Sequence, residues 1–477
     1  MTYEPVIGLE CHVELATRTK MFCGCANSFG AAPNTQVCEV CLGHPGTLPV
    51  ANGRAVEFTM KIGLALGCEI APRSLFHRKN YFYPDMPKNY QISQFDLPLC
   101  TGGALEIEVG GETRRIGVHR VHLEEDTGKT LHMGGASGRI ADANYALEDY
   151  NRAGVPLVEV VSEPDMRSAD EARAYFQELR LILESLGVSD VRMEEGSLRC
   201  DANVSVRPQG ATDLGTKVEI KNLNSVRSLE RAIRFEAERQ RAALERGEEL
   251  VQETRHWDEG AGLTLPLRSK EYAFDYRYFP EPDLQPIEPG ADWIDRLRSE
   301  LPELPAARRA RLSDRFQLSP EQLVVIGSSS ETARLFEEAF NRLEGVGPRT
   351  IANWIVNVGP DLVRDELDAL VDVIRLTELG EISVLAGKEV LAEALATGQD
   401  PKDIVEAKGL RQISDEGALT AVIDRVIAEN PGPVEQFRAG KEGVLGFLVG
   451  QVMKATNGSA NPKEAGRLLR ERLMPQG

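Results

Sequence analysis

Four segments of this chain alternate apolar and polar residues with a period of two, and each carries ionisable groups on its polar side. That alternation builds half-buried strands of an antiparallel sheet, one face on a core and one on water. In Ile7–Leu15, Leu9, Cys11, Val13 and Leu15 take the core side, while Glu10, His12 and Glu14 share the other. In Val121–Asp126, His122 and Glu124 fall on the polar side, with Glu125 and Asp126 at the strand end. Arg199–Arg207 sets Arg199, Asp201, Asn203, Ser205 and Arg207 against Cys200, Ala202, Val204 and Val206. Lys217–Lys221 repeats the pattern with Lys217, Glu219 and Lys221 outward. Asp and Asn are depleted in strands, so a strand carrying both needs a reason. Carboxylates around an imidazole suit a hard cation or acid–base chemistry. They also suit an ordinary wet sheet face, and local pattern does not make the four segments neighbours.

With 477 residues, 42% apolar and 27% charged, the chain reads as a globular protein of two or three domains. No apolar run reaches bilayer length, and Met1-Thr2-Tyr3-Glu4-Pro5 lacks the basic and apolar regions of a signal peptide. The formal net charge of −19 argues against a generally basic nucleic-acid binder. The tail is the exception: from Lys441 onward six Lys or Arg face three Glu.

Eight cysteines without a secretion signal suggest reduced thiols in a cytoplasm. Cys23-Gly24-Cys25 and Cys38-Glu39-Val40-Cys41 resemble a zinc knuckle with four thiolate ligands, closed and therefore structural. The alternative is four core thiols. Cys11, Cys68, Cys100 and Cys200 are scattered and read as small core residues.

Residues 1 to 293 read as mixed α and β. Strands are expected near 6–15, 104–109, 116–124, 156–161, 199–206 and 216–221. The Ser168–Glu171 capping box opens a helix that Gly187 ends, and a second helix covers about 225–246. The prolines from Phe279-Pro280 to Pro289-Gly290 mark a linker or a fixed extended segment. Helical periodicity dominates after them, and another unit starts near residue 407.

The usual phosphate loop is absent, and no G-x-G-x-x-G follows a strand. Gly134–Gly138 reads as a hairpin or mobile loop. A nucleotide would have to bind by another design, such as a metal on a sheet with Lys and Arg on the phosphates. Glu159 interrupts the apolar run Val155–Val161, where an ionised carboxylate is costly unless paired or bound to a cation. Asp149–Arg152 before it suits a polar turn or a substrate contact. His77–Asp85 mixes cations with aromatics, which suits either base stacking or a core aromatic cluster. Arg268–Glu271 and Asp275–Pro280 repeat the mixture.

These blocks, with Asp149–Leu157, Glu219–Ser225, Asp275–Leu284 and Gly446–Lys454, occur in an order that resembles the B-subunit family of the aspartyl/glutamyl-tRNA amidotransferases. The resemblance covers nearly the whole chain. It implies an α+β protein: a catalytic domain over 1–293 on a curved antiparallel sheet like that of glutamine synthetase and guanidino kinases, a helical domain over 294–406 and a tRNA-binding tail over 407–477. It implies use of ATP and Mg2+ to phosphorylate the side-chain carboxylate of Glu-tRNA(Gln) or Asp-tRNA(Asn), with ammonia supplied by a glutaminase chain and a further small chain completing the complex. Matched residue by residue, Glu10, His12 and Glu124 are the expected magnesium ligands, with Glu125 and Glu159 as second choices. Lys79, Arg199 and Arg207 are expected on phosphate, and Asp201, Asn203 and Ser205 complete the site. The three Trp and the basic tail are candidate tRNA contacts, although Trp354 at helical spacing also fits a core. Two rival readings are a tRNA-binding scaffold without kinase chemistry and a zinc hydrolase on the four clustered cysteines; the second lacks an open metal position.

Overall fold

The computed structural model describes residues 2–134, 143–269, 276–358, 366–412, 416–456 and 460–474. The chain divides into two compact units, Met1–Leu304 and Pro305–Gly477. The strands of the first are β1 (Tyr3–Glu14), β2 (Glu69–Ile70), β3 (His77–Asn80), β4 (Tyr90–Ser93), β5 (Cys100–Val109), β6 (Glu112–Glu125), β7 (Lys129–Met133), β8 (Tyr145–Asp149), β9 (Pro156–Ser162), β10 (Leu198–Pro208), β11 (Val218–Leu223), β12 (Glu253–Asp258), β13 (Leu263–Ser269) and β14 (Phe279–Pro280). Its helices are α1 (Gly53–Ala65), α2 (Ala169–Leu186), α3 (Val226–Glu245) and α4 (Ala291–Ser299).

Nine strands form one sheet in the order β13-β12-β11-β10-β1-β9-β6-β5-β2. The alternating segments are therefore neighbours, with β1 between β9 and β10. Ile7, Leu9, Cys11 and Val13 are buried with Val121, Leu123, Val158, Val160, Cys200, Ala202 and Val204. Tyr175, Phe176 and Leu179 of α2 and Leu229 and Ile233 of α3 cover that face. Ser168 caps α2 by accepting from the Glu171 N–H, and Gly187 closes it in the left-handed conformation. One pair departs from the expected antiparallel pattern: β11 and β12 run parallel. The twenty-residue α3 joins them, and a parallel pair requires such a crossover.

The proline-rich segment is fixed rather than a free linker. Phe279 and Pro280 pair with Arg78 and His77, and Ile287 bridges to Ser74. Arg78 donates to both oxygens of the buried Glu281 carboxylate, at 2.6 and 2.8 Å. Trp293 of α4 donates to Glu57 of α1 at 3.1 Å, so this unit continues past residue 293 to Leu304. The second unit is helical, from Pro305–Phe316 to Pro462–Leu473. It holds two buried clusters, one from Leu312 to Val405 and one from Leu419 to Leu473. Trp257 and Trp354 are core residues and so offer no surface to tRNA, while Trp293 is half-buried against the first core. Among the described residues no helix is long and apolar enough to cross a membrane. Residues 135–138 of the glycine-rich stretch, and Lys270, Glu271 and Asp275, lie outside the described residues.

Candidate functional site

Directly opposed residues of neighbouring strands point to one face, so the register builds the site in rows. One row crosses four strands: Arg199, His12, Glu159 and His122. The next row towards one end holds Asp201, Glu10, Val161 and Arg120; the next towards the other holds Glu14, Leu157 and Glu124. The four strands β10, β1, β9 and β6 thus gather on one wet face the groups that single segments only suggested.

At the centre, ligand-type atoms of His12, Glu124 and Glu159 lie within 4.8 Å of one another. His12 Nε2 stands 4.0 Å from Glu124 Oε1, and His122 Nε2 stands 3.1 Å from Glu159 Oε2. Burial alone would push the Glu159 carboxyl up; His122, helped by His12 and Arg120, outweighs it and holds the group below the usual carboxylate range. Glu159 therefore stays ionised inside an apolar run, as a cation ligand must. Among the described residues the Nδ1 atom of buried His122 has no hydrogen-bond partner.

Two further clusters flank the centre. On one side Asn203 Nδ2 donates to Glu10 Oε1 at 2.7 Å, and Lys221 Nζ contacts Asp201 at 2.5 Å and Glu219 at 3.1 Å. On the other side Arg199 and Arg152 both face buried Asp126. Burial, followed by the neighbouring Asp126 carboxylate, raises Glu14 to about 8, so Glu14 carries a proton at neutral pH beside ionised Asp126.

A roof comes from outside the sheet. Ser93 Oγ of β4 donates to Glu124 Oε2 at 3.2 Å. Lys79 Nζ lies 4.8 Å from the Tyr276 ring centroid, and Tyr278 stacks on Phe95 at 4.3 Å. Burial pushes the Tyr81 and Tyr278 phenols up, and nearby carboxylates including Glu124 add to it.

Glu10, His12, Glu124, Glu159, Arg199, Asp201 and Asn203 thus share one face. Glu125 does not join them. Alternation turns it to the opposite side, where its carboxylate pairs with Lys88 and accepts from the Ile92 N–H at 2.9 Å. It lines a cavity of about 200 Å3 with Cys41 and Gly154. Arg207 follows Arg199 by eight residues on β10, roughly 26 Å along the strand, and binds Glu4 at 2.7 Å. Ser205 is buried opposite Val6, two residues short of it. These three are the expected site residues that the fold keeps away from the central row. Conversely, Arg120, His122, Glu14, Asp126, Arg152, Lys221 and Tyr278 were not assigned to the site. Face alternation had already set Glu14, His122 and Lys221 on the polar side without giving them a role, and Arg120, two residues before His122 on β6, follows by the same alternation. Tyr278 arrives from far along the chain; the cation–aromatic mixture over Asp275–Pro280 marked its segment but not where it would lie.

Cys23, Cys25, Cys38 and Cys41 form a separate centre, their sulfurs within 4.8 Å of one another. Four converging thiols are a donor set for a tetrahedral soft metal with no open position. The Cys23 thiol holds Cys41 low, at about 5, against the upward push of burial; the Cys38 N–H and nearby Lys20 act in the same direction. Lys20, itself buried, also donates to the Tyr150 carbonyl at 3.1 Å. The Asn34 N–H donates to Asp149 and the Gln36 N–H to Asn151. The Asp149–Arg152 turn is therefore a clasp between the knuckle and the sheet.

Comparison with known proteins agrees with this layout. The family model described as "GatB/GatE catalytic domain" matches residues 5–295, and "GatB domain" matches 334–473. A protein of Moorella thermoacetica is 54% identical over 99% of this chain and 100% of its own length. One from Frankia casuarinae is 53% identical over 99% and 96%, and one from Brevibacillus brevis 51% over 99% and 99%. All three are named as the B subunit of aspartyl/glutamyl-tRNA(Asn/Gln) amidotransferase.

Proposed function

Since the chain belongs to the GatB/GatE family, we propose that it is the subunit that activates the side-chain carboxylate of Glu-tRNA(Gln) or Asp-tRNA(Asn) for amidation. The observation that carries the reading is the row Arg199–His12–Glu159–His122 with Glu124 beside it. A carboxylate reacts poorly with ammonia because its leaving group would be oxide. ATP and magnesium, when bound, supply a phosphoryl group that makes a good leaving group and the charge that steadies its transfer. His12, Glu124 and Glu159 are the residues that would hold the metal, with Glu10 one row away; ionised Glu159 fits that role. Arg199 and Asn203 of β10 and Lys79 of β3 offer donors to phosphate oxygens. No side chain is asked to act as a covalent nucleophile.

The clustered cysteines hold a structural zinc ion in this reading. Partners are a glutaminase (amidase) chain that supplies ammonia, a further small chain of the same complex, and misacylated tRNA, which the helical tail over 407–477 engages. The setting in this reading is the cytoplasm, a reducing compartment that suits thiolate ligands at the knuckle. The test is phosphate release from ATP in the reconstituted complex. The wild type should release phosphate in the presence of Glu-tRNA(Gln), and Glu124→Gln should slow that release by about a hundredfold or more. Unchanged release in Glu124→Gln, and in Glu10→Ala, would remove the acidic face from the mechanism.

A further inference from the structure

The loop after β3 carries two aromatic side chains turned outward at the edge of the site. Phe82 is 71% exposed and Tyr83 51%, while Tyr81 before them turns in towards Glu124 and Asp126. The Arg277 guanidinium lies 5.7 Å from the Phe82 ring centroid. Arg277 has a φ of +47°, a left-handed conformation that non-glycine residues rarely adopt. Asn80 holds it there, donating to the Arg277 carbonyl at 2.9 Å and to the Tyr276 carbonyl at 3.3 Å. The loop is fastened to the site: the Gly128 N–H donates to the Asp85 carbonyl and the Tyr150 hydroxyl to the Pro84 carbonyl, both at 2.8 Å. Gly128 lies two residues beyond Asp126, which faces Arg199. Among the described residues, no packing contact calls for an open phenyl ring with a cation over it here.

We propose that Phe82, with Arg277 over one face of its ring, is a stacking platform for an unpaired nucleobase at the 3′ end of the aminoacylated tRNA. The inference rests on the tRNA substrate assigned above and adds the residues that guide its end into the site. A solvent-open ring offers one face to a base, and an adjacent guanidinium meets the backbone phosphate; this pairing suits single-stranded nucleic acid and tolerates any base. A free nucleotide is instead held in a concave site that buries most of its surface, so the adenine of ATP is not the chosen occupant. The basic edge is local, in a chain whose formal charge is −19.

The test is a direct titration of the reconstituted complex with fluorescently labelled Glu-tRNA(Gln), and separately with ATP. Phe82→Ala should weaken tRNA binding about 5- to 30-fold and leave ATP binding unchanged; Phe82→Trp should keep tRNA binding near the wild-type value. Equal tRNA affinity in wild type and Phe82→Ala overturns the platform, as does a loss confined to ATP. Phosphate release is read in parallel. Wild-type complex that binds tRNA yet releases no phosphate sinks the assigned chemistry, while the Phe82 comparison still decides the platform.

Discussion

Removal of metal from the cysteine knuckle should unfold the knuckle and leave the sheet standing. From Cys23 to Thr47, Cys41 is the one hydrophobic side chain that is buried. Each residue fixed in such a loop costs about 1–2 kcal/mol of backbone entropy, and this segment has almost no apolar burial to offset it. Its ties to the rest of the unit are few polar contacts, among them Asn34 to Asp149 and Gln36 to Asn151. A structural zinc ion bound by thiolates contributes about 10–16 kcal/mol. Losing even a third of that, about 4 kcal/mol, raises the local opening equilibrium roughly a thousandfold. Cys38→Ser, or a chelator, should therefore speed amide exchange across 23–47 by about three orders of magnitude. Exchange in β1 and β9 should stay slow, because their amides lie in central ladders. Elemental analysis should find one zinc per chain in the wild type. Metal release should rise as pH falls, since protons compete for the thiolates. Protein that holds no zinc, or a Cys38→Ser variant with wild-type exchange over 23–47, would refute the reasoning.

Other perturbations test other contacts. Arg78→Met leaves the fully buried Glu281 side chain without its bidentate partner, so it should cost about 3–5 kcal/mol in denaturant unfolding; a change under about 1 kcal/mol would mean the proline-rich segment is not held by this pair. Glu57 gives a pH signature. Burial pushes its carboxyl up, but hydrogen bonds from Arg296, Trp293 and Arg54 outweigh that and bring it down to about 2. Its folded value lies below the ordinary value of 4.5, so between them the unfolded chain binds more protons. The stability it lends is full above pH 4.5 and drains as pH falls towards 2. Glu57→Gln should flatten that part of the melting-temperature curve; an unaltered slope would show that Glu57 does not tie α4 to α1.

Much of the fold was legible because period-two alternation and helix caps are local signals. The strand β1 and the helix capped by Ser168 could be read from a dozen residues each. What was not legible depends on long-range register or on a crossover. The parallel β11–β12 pair follows from α3 returning the chain to the same edge, and no residue in either strand announces its direction. Glu125 illustrates a different limit. Three consecutive acids at the end of β6 look alike as a string, yet alternation sends Glu124 to the wet face and Glu125 to Lys88 on the other. Applied strictly, the alternation already read in that segment would have separated them.

The same arithmetic explains why the site sits on β1. A one-residue slip of any strand exchanges its two faces, which would carry Glu10, His12 and Glu14 into the core and Leu9, Cys11 and Val13 into water. β1 is held against that slip by an eleven-pair ladder with β10 on one side and a five-pair ladder with β9 on the other. Both ladders bring charged groups opposite His12, namely Arg199 and Glu159. The apolar set that fixes the register is therefore what places the ionisable set. Carboxylates and imidazoles that repel or desolvate one another can be held within 4.8 Å only because the buried half of the same strands cannot move to relieve them. In this sheet the core's preference for one register is the source of the site's preorganisation, and the ionisable row is placed by packing that never touches it.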